Sequence, residues 1–305
     1  MSIQTRTKVR FASGTDECAA FHYAGTNGAC VVMGSGGGVT KEPGTDRFAA
    51  RFHDAGFSVL AFDHRHFGES GGTPRQVIKV RRQLVDWRAA LATAGMLPEV
   101  DPARVAAWGF STGGGHALRI AAEANQPVAA VIAQTPYADG LASGPKALRH
   151  ETLGVLARFP FLAAADALRG VMGRDPLLVP LSGPRGTVAM LTTPDSQDGD
   201  RALNPDGAYP DWVQSVAARS VLPLGSYRPG RRAKHVICPL LVVAALADQC
   251  VLPGPAIKVA RRAPKGELLE VPGGHYAPFL DEHEAVVAAE LEFLQRHLVA
   301  SRPRA

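Results

Sequence analysis

The stretch Val105-Ala106-Ala107-Trp108-Gly109-Phe110-Ser111-Thr112-Gly113-Gly114-Gly115, VAAWGFSTGGG, runs from an apolar strand pattern through a glycine-rich turn into the helical pattern HALRIAAEA. Strand, Gly-x-Ser-x-Gly and helix in succession are the context of a nucleophile elbow, where a tight turn holds a serine in a strained conformation. Gly109 and Gly113 fit that demand, because a side chain at either position would crowd the neighbouring strand or helix. The helix that follows would bring its positive end to the hydroxyl. A glycine-rich turn with an incidental serine is the bland alternative, since so short a pattern also occurs by chance. Phosphate binding is a weaker reading: there is no Gly-Lys-Ser/Thr, and neither GSGGG nor GFSTGGG completes a G-x-G-x-x-G.

The same alternation of elements extends outward from the elbow. TKVRFA (7–12) and ECAAFHY (17–23), around Ser13-Gly14, read as a hairpin. The runs ACVVM (29–33), FSVLAFD (57–63), RVAAW (104–108), VAAVIA (128–133), PLLVVAA (239–245) and ELLEV (267–271) read as inner strands of a parallel sheet, apolar on both faces. Between them, patterns over 45–55, 75–94 and 282–298 predict helices. In the second, Val77, Val80, Leu84, Trp87 and Leu91 recur at steps of three and four and form one apolar stripe. In the third, Val287, Leu291, Leu294 and Leu298 do the same, and Asp281 with Glu284 reads as a capping pair. The expected architecture is α/β, a doubly wound, mostly parallel sheet. Residues 1–135 and 236–305 form its core. From 136 to 235 the strand patterns disappear into helical and Pro/Gly-rich sequence too long for a loop, which predicts an inserted helical lid.

A serine hydroxyl needs a base, and the base needs a carboxylate to hold its tautomer. Asp248 follows the strand PLLVVAA in LADQCVLPG, and His275 follows the next strand in PGGHYAPF. Alone, Asp248 would read as a turn or cap residue and His275 as a loop histidine. Each at the end of its own strand, in the chain order Ser111, Asp248, His275, they form a candidate catalytic triad.

These residues resemble the α/β-hydrolase superfamily, and the resemblance covers nearly the whole predicted core. In that superfamily a loop after the third strand, often His-Gly-x-Gly-Gly, supplies one oxyanion amide and the residue after the nucleophile supplies the other. The matching segment here is MGSGGGVTKEP (33–43), with Met33 in place of the histidine. The resemblance implies Ser35 and Thr112 as the oxyanion donors, with Gly36 as the alternative to Ser35. FDHRHFGESGG (62–72) resembles the family's Asp-x-Arg-Gly-x-Gly-x-Ser segment, which is structural there. His64 and His66 accordingly read as loop residues, with no further ligands spaced for a metal. The run from 36 to 72 is similar to a bacterial branch containing dienelactone hydrolases, acetyl xylan esterases and the S15 peptidase and cocaine-esterase group.

The resemblance implies an ester or lactone hydrolase working through an acyl-enzyme on a small molecule, without cofactor or metal. A biosynthetic tailoring enzyme using the same triad for thioester release, acyl transfer or elimination is the alternative, and a non-catalytic binder on the same fold is a third reading. Leu148, Leu153, Val155, Leu156, Phe159, Phe161 and Leu162 would give the lid an apolar surface or pack it onto the core. Tyr137, Trp212 and Tyr276 are candidate substrate-binding residues. An S15-like peptidase could use Asp195, Asp198, Asp200, Asp206 and Asp211 to hold an amine, although their Pro, Gly and Ser neighbours suggest solvated turns.

Composition narrows the remaining classes. The 305 residues are 46% hydrophobic and 20% charged, which is globular usage. The net charge of +5 comes largely from scattered pairs such as Arg81-Arg82 and Arg261-Arg262. RPGRRAKH (228–235) is a basic cluster without aromatic interleaving, so nucleic acid is not an expected partner. The N-terminal sequence has no signal-peptide apolar run, and VICPLLVVAALA (236–247) is too short to span a bilayer. These features predict a cytoplasmic protein with no membrane partner, and a homodimer is compatible with them. Cys18, Cys30, Cys238 and Cys250 have no CxxC spacing and read as free thiols.

Overall fold

The computed structural model describes residues 6–125 and 128–299; the side chains of 146–148, Leu148 among them, lie outside the described residues. The chain opens with a hairpin, β1 (Thr7–Ser13) and β2 (Asp16–Tyr23), turning at Gly14 with φ 60°. Then come β3 (Cys30–Gly34), helix α1 (Lys41–Asp54), β4 (Ser58–Phe62), α2 (Val80–Ala94), β5 (Val105–Phe110), α3 (Thr112–Ala121) and β6 (Ala130–Gln134). The segment that follows carries α4 (Gly140–His150), α5 (Leu153–Val171), β7 (Leu178–Pro180), α6 (Gly199–Leu203), β8 (Ser215–Ala217) and α7 (Val221–Ser226). The chain then re-enters the sheet with β9 (Leu240–Ala245), α8 (Pro253–Arg262), β10 (Gly266–Val271) and α9 (His283–Leu294).

The eight long strands form one sheet in the order β1-β2-β4-β3-β5-β6-β9-β10. β2 is antiparallel to both β1 and β4, and every other pairing is parallel. Each residue of β3, β4, β5, β6 and β9 is buried, as their continuous apolar runs require of strands covered on both faces. Phe48 and Phe52 of α1 join Val286, Val287 and Phe293 of α9 on one face of the sheet. Leu84 and Trp87 of α2 join Ala117 and Leu118 of α3 and Val259 of α8 on the other. The sheet is therefore doubly wound. No helix among the described residues is long and apolar enough to cross a membrane.

Several element boundaries differ from the sequence expectation. α1 starts at Lys41 rather than 45, taking Pro43 into its first turn, where the missing N–H has no intrahelical role. α2 starts at Val80 rather than 75, because Gln76 sits at φ 61° and donates its N–H to His66 O at 2.9 Å; Val77 is buried all the same. α9 has no side-chain cap, and Glu284 pairs with Arg51 at 2.7 Å instead of with Asp281. Between β6 and β9 the strands do not vanish: β7 and β8 form a short antiparallel ladder. Leu153 and Phe161 are 85% and 79% exposed on α5, whereas Val155 is buried.

Candidate active site

Ser111 stands alone between β5 and α3 at φ 54°, ψ −118°, a conformation that L-residues rarely adopt. Its flanking glycines are required by close backbone approach. A Cβ on Gly109 would lie 2.3 Å from Gly113 O, and one on Gly113 would lie 2.3 Å from Gly34 O and 2.5 Å from Ser35 O. The turn is pinned by Ser111 N–H donating to Gln134 O at 3.0 Å and by Tyr137 N–H donating to Ser111 O at 2.9 Å.

The ends of β9 and β10 bring the other two residues to the same edge. His275 Nε2 lies 3.0 Å from Ser111 Oγ, and His275 Nδ1 lies 2.7 Å from Asp248 Oδ2. Asp248 Oδ1 also accepts the Val251 N–H at 2.8 Å, which orients the carboxylate within its own loop. His275 and Asp248 are both almost wholly buried. Burial pushes the Asp248 carboxyl above its ordinary range, against the pull of His275. Phe110 and Tyr276 pack on the imidazole, with ring centroids 5.1 and 5.0 Å away. Such an arrangement can deprotonate the serine, hold the imidazolium that results and keep water from the pair.

The remaining candidates divide. Thr112 is the first residue of α3 and lines a small cavity over Ser111. Gly36 and Gly37 line it too, and a Cβ on Gly36 would come within 3.4 Å of Ser111 Cβ. Ser35 does not line it. That residue is buried one position back, its hydroxyl donating to Thr40 O at 3.0 Å, which leaves Gly36 as the first residue of this loop to line the cavity. Tyr137 and Tyr276 line the cavity, but Trp212 does not: its Nε1–H donates to Gly38 O at 3.0 Å, which turns the indole into neighbouring pockets.

A second, mostly apolar cavity of about 370 Å³ adjoins the first. It shares Tyr137, Met190, Leu191 and Cys250 with the Ser111 cavity and is walled by Val155, Leu156 and Phe159 of α5 and by Leu222 and Leu224 of α7.

Sequence reasoning passed over Asp86 as the partner of the 62–72 segment, and the burial of Asp195. His64 and Arg65 both bond the buried Asp86, so the 62–72 segment is a structural node. Asp195, grouped among the solvated aspartates, is buried against the acid and histidine loops, whereas Asp200, Asp206 and Asp211 are exposed. Asp195, Asp248 and Cys250 place three metal-ligand-type atoms within 4.8 Å of one another. All three residues are already engaged in protein hydrogen bonds, and burial pushes the Cys250 thiol well above its usual range.

A doubly wound sheet that presents Ser111, Asp248 and His275 in this order and geometry defines an α/β hydrolase, an enzyme class that acts on ester bonds. The chain belongs to the serine aminopeptidase S33 family, whose family model matches residues 27–281. It is 36% identical over 298 residues to the quorum-quenching protein AidA of Acinetobacter baumannii, covering 96% of this chain and 95% of that one. It is 30% identical over 164 residues to the thiohydrolase aneE of Aspergillus aculeatus, covering 54% of this chain and 51% of that protein. The fold is that of the α/β hydrolase GrgF from Penicillium sp. sh18, with a TM-score of 0.81 at 21% identity, covering 96% and 99% of the two chains.

Proposed function

We propose that the protein is a serine hydrolase that cleaves a small-molecule ester or lactone bearing an apolar arm. The observation that carries this reading is the relay Ser111–His275–Asp248, 3.0 and 2.7 Å long, with its serine and histidine in a small cavity that adjoins an apolar one. His275 takes the Ser111 proton as Oγ attacks the acyl carbon, and Asp248 holds the imidazolium. The amides of Thr112 and Gly36 receive the developing oxyanion, a contribution of roughly 3–4 kcal/mol per well-aimed donor. His275 then returns its proton to the leaving alkoxide, and water releases the acyl-enzyme by the same steps reversed. Residues 136–235 act as the lid, seating the apolar arm between α5 and α7; the cavity size falls in the range of small-molecule sites. Similarity to a quorum-quenching protein along almost the whole chain is compatible with a small-molecule substrate.

Release or transfer of a thioester-bound acyl group by the same relay is the second reading, favoured by the partial similarity to a thiohydrolase. Intact-mass analysis after fluorophosphonate treatment, on wild type and Ser111→Ala, tests the nucleophile. The expected result is one adduct on wild type and none on the variant; an unlabelled, folded wild type refutes the assignment. Turnover of acyl lactones and p-nitrophenyl esters against acyl thioesters then separates the two readings by their kcat/KM.

A further inference from the structure

Asp195 lies in the inserted segment, in the short turn Pro194–Asp198, far in sequence from both loops it touches. Its Oδ2 accepts the backbone N–H of Gln249 at 2.8 Å, of His275 at 3.2 Å and of Cys250 at 3.4 Å. Its Oδ1 accepts the Cys250 thiol at 3.4 Å, and that sulfur also lies 3.2 Å from Thr193 Oγ1. One carboxylate thus bridges the loop after β9, which carries Asp248, and the loop after β10, which carries His275. The approach is built into the backbone: a Cβ on Gly274 would lie 2.7 Å from Asp195 Cβ.

We infer that Asp195 is a positioning residue, through which the inserted segment holds the acid loop and the histidine loop in register beneath Ser111. The inference rests on the serine-hydrolase reading above. Three amide donors on one nearly buried carboxylate explain why it stays ionised there. Burial alone would raise its carboxyl, but the Gln249 and His275 amides and the Thr193 hydroxyl outweigh burial and hold it below its ordinary value. Thr192 and Thr193, which line the apolar cavity, immediately precede that turn, so filling the cavity bears on the part of the chain that holds the catalytic loops.

The charged and titratable groups in contact with His275 are Asp248 from the loop after β9, Asp195 from the inserted segment, the neighbouring Tyr276, and Ser111. An ionised Asp195 therefore adds to the field that favours the imidazolium. Asp195→Asn removes that charge and sets an NH2 donor in place of one of its two acceptor oxygens. In folded protein it is expected to lower kcat roughly 10- to 100-fold with KM changed less than about twofold. Wild-type kcat, or a loss that falls on KM as heavily as on kcat, overturns the inference.

If Asp195→Asn does not fold, Asp195→Glu carries the test. It keeps the charge but displaces it, so kcat is expected to fall, and wild-type kcat in that variant refutes the positioning role. Fluorophosphonate labelling separates this inference from the reading beneath it. Failure to label wild type removes the serine-hydrolase reading, whereas equal labelling rates in wild type and Asp195→Asn remove only the role of Asp195.

Discussion

Gly113→Ala is the smallest change that tests whether catalysis depends on the close backbone packing around Ser111. The added methyl would lie 2.3 Å from Gly34 O and 2.5 Å from Ser35 O. Ordinary contact begins at 3.4 Å, so the start of α3 and the loop after β3 must separate by about 1.1 Å. Both obstacles are backbone, and neither can turn aside as a flexible side chain would. The displacement falls between Thr112 and Gly36, the two proposed oxyanion donors, and carries Ser111 with it. A misplacement of about 1 Å costs roughly 100-fold in rate, and overpacking of this kind costs about 1–3 kcal/mol of stability. Gly254→Ala serves as the control, because its methyl meets nothing within 4 Å. At an unstrained position such a change adds about 0.4–1 kcal/mol of stability. Steady-state kcat/KM on a short p-nitrophenyl ester, with urea unfolding of each variant, reads both effects. A folded Gly113→Ala enzyme within about threefold of wild-type kcat/KM would refute the reasoning.

The cavity between α5 and α7 predicts that kcat/KM rises along an acyl-ester series by up to about fourfold per methylene, until the arm outgrows it. Leu156→Trp fills that space, so the rise is expected to stop at a shorter acyl chain while the shortest esters are unaffected; a uniform loss across the series would place the arm elsewhere. Acid stability should depend on Asp86, whose carboxyl is at about 2 against an ordinary 3.8: burial opposes its ionisation, but hydrogen bonds from His64, Ser13 and Arg65 prevail. With the folded value depressed, this contribution is complete above about pH 4 and lost as pH falls toward 2, a change on the order of 2 kcal/mol. Urea unfolding from pH 6 to pH 2 should show the stability gap between wild type and Asp86→Asn narrowing by that amount, and a gap independent of pH would contradict it.

The strands were legible because parallel inner strands are apolar on both faces, and a run such as PLLVVAA has few other folded fates. The placement of Ser111, Asp248 and His275 followed from the same local fact, since each lies just past a strand whose end is visible in the sequence. Helix starts were less legible. The stripe from Val77 to Leu91 gives no sign of a late start, yet the helix waits for Val80 because Gln76 is bound on one side to His66 O and on the other to the Ala217 N–H, far along the chain. Glu284 likewise finds Arg51 of α1 rather than a role at its own helix end.

Asp195 shows where local reading stops. Its neighbours Pro194, Ser196 and Asp198 are turn formers, and Asp200, Asp206 and Asp211 in the same stretch are exposed, as that composition suggests. Only the packing of the inserted segment onto the sheet edge separates Asp195 from them. A buried carboxylate persists when several donors meet it, and those donors are backbone amides, which carry no side-chain signature. Any residue type at positions 249 and 250 other than proline would offer the same N–H groups. The trace left in the sequence is indirect: Gly274, where a side chain would meet Asp195, reads as ordinary loop punctuation until the two loops are seen in contact. Contacts made through the backbone thus conceal the partner most closely joined to the catalytic loops, while contacts made through side chains, such as those of His275, disclose theirs.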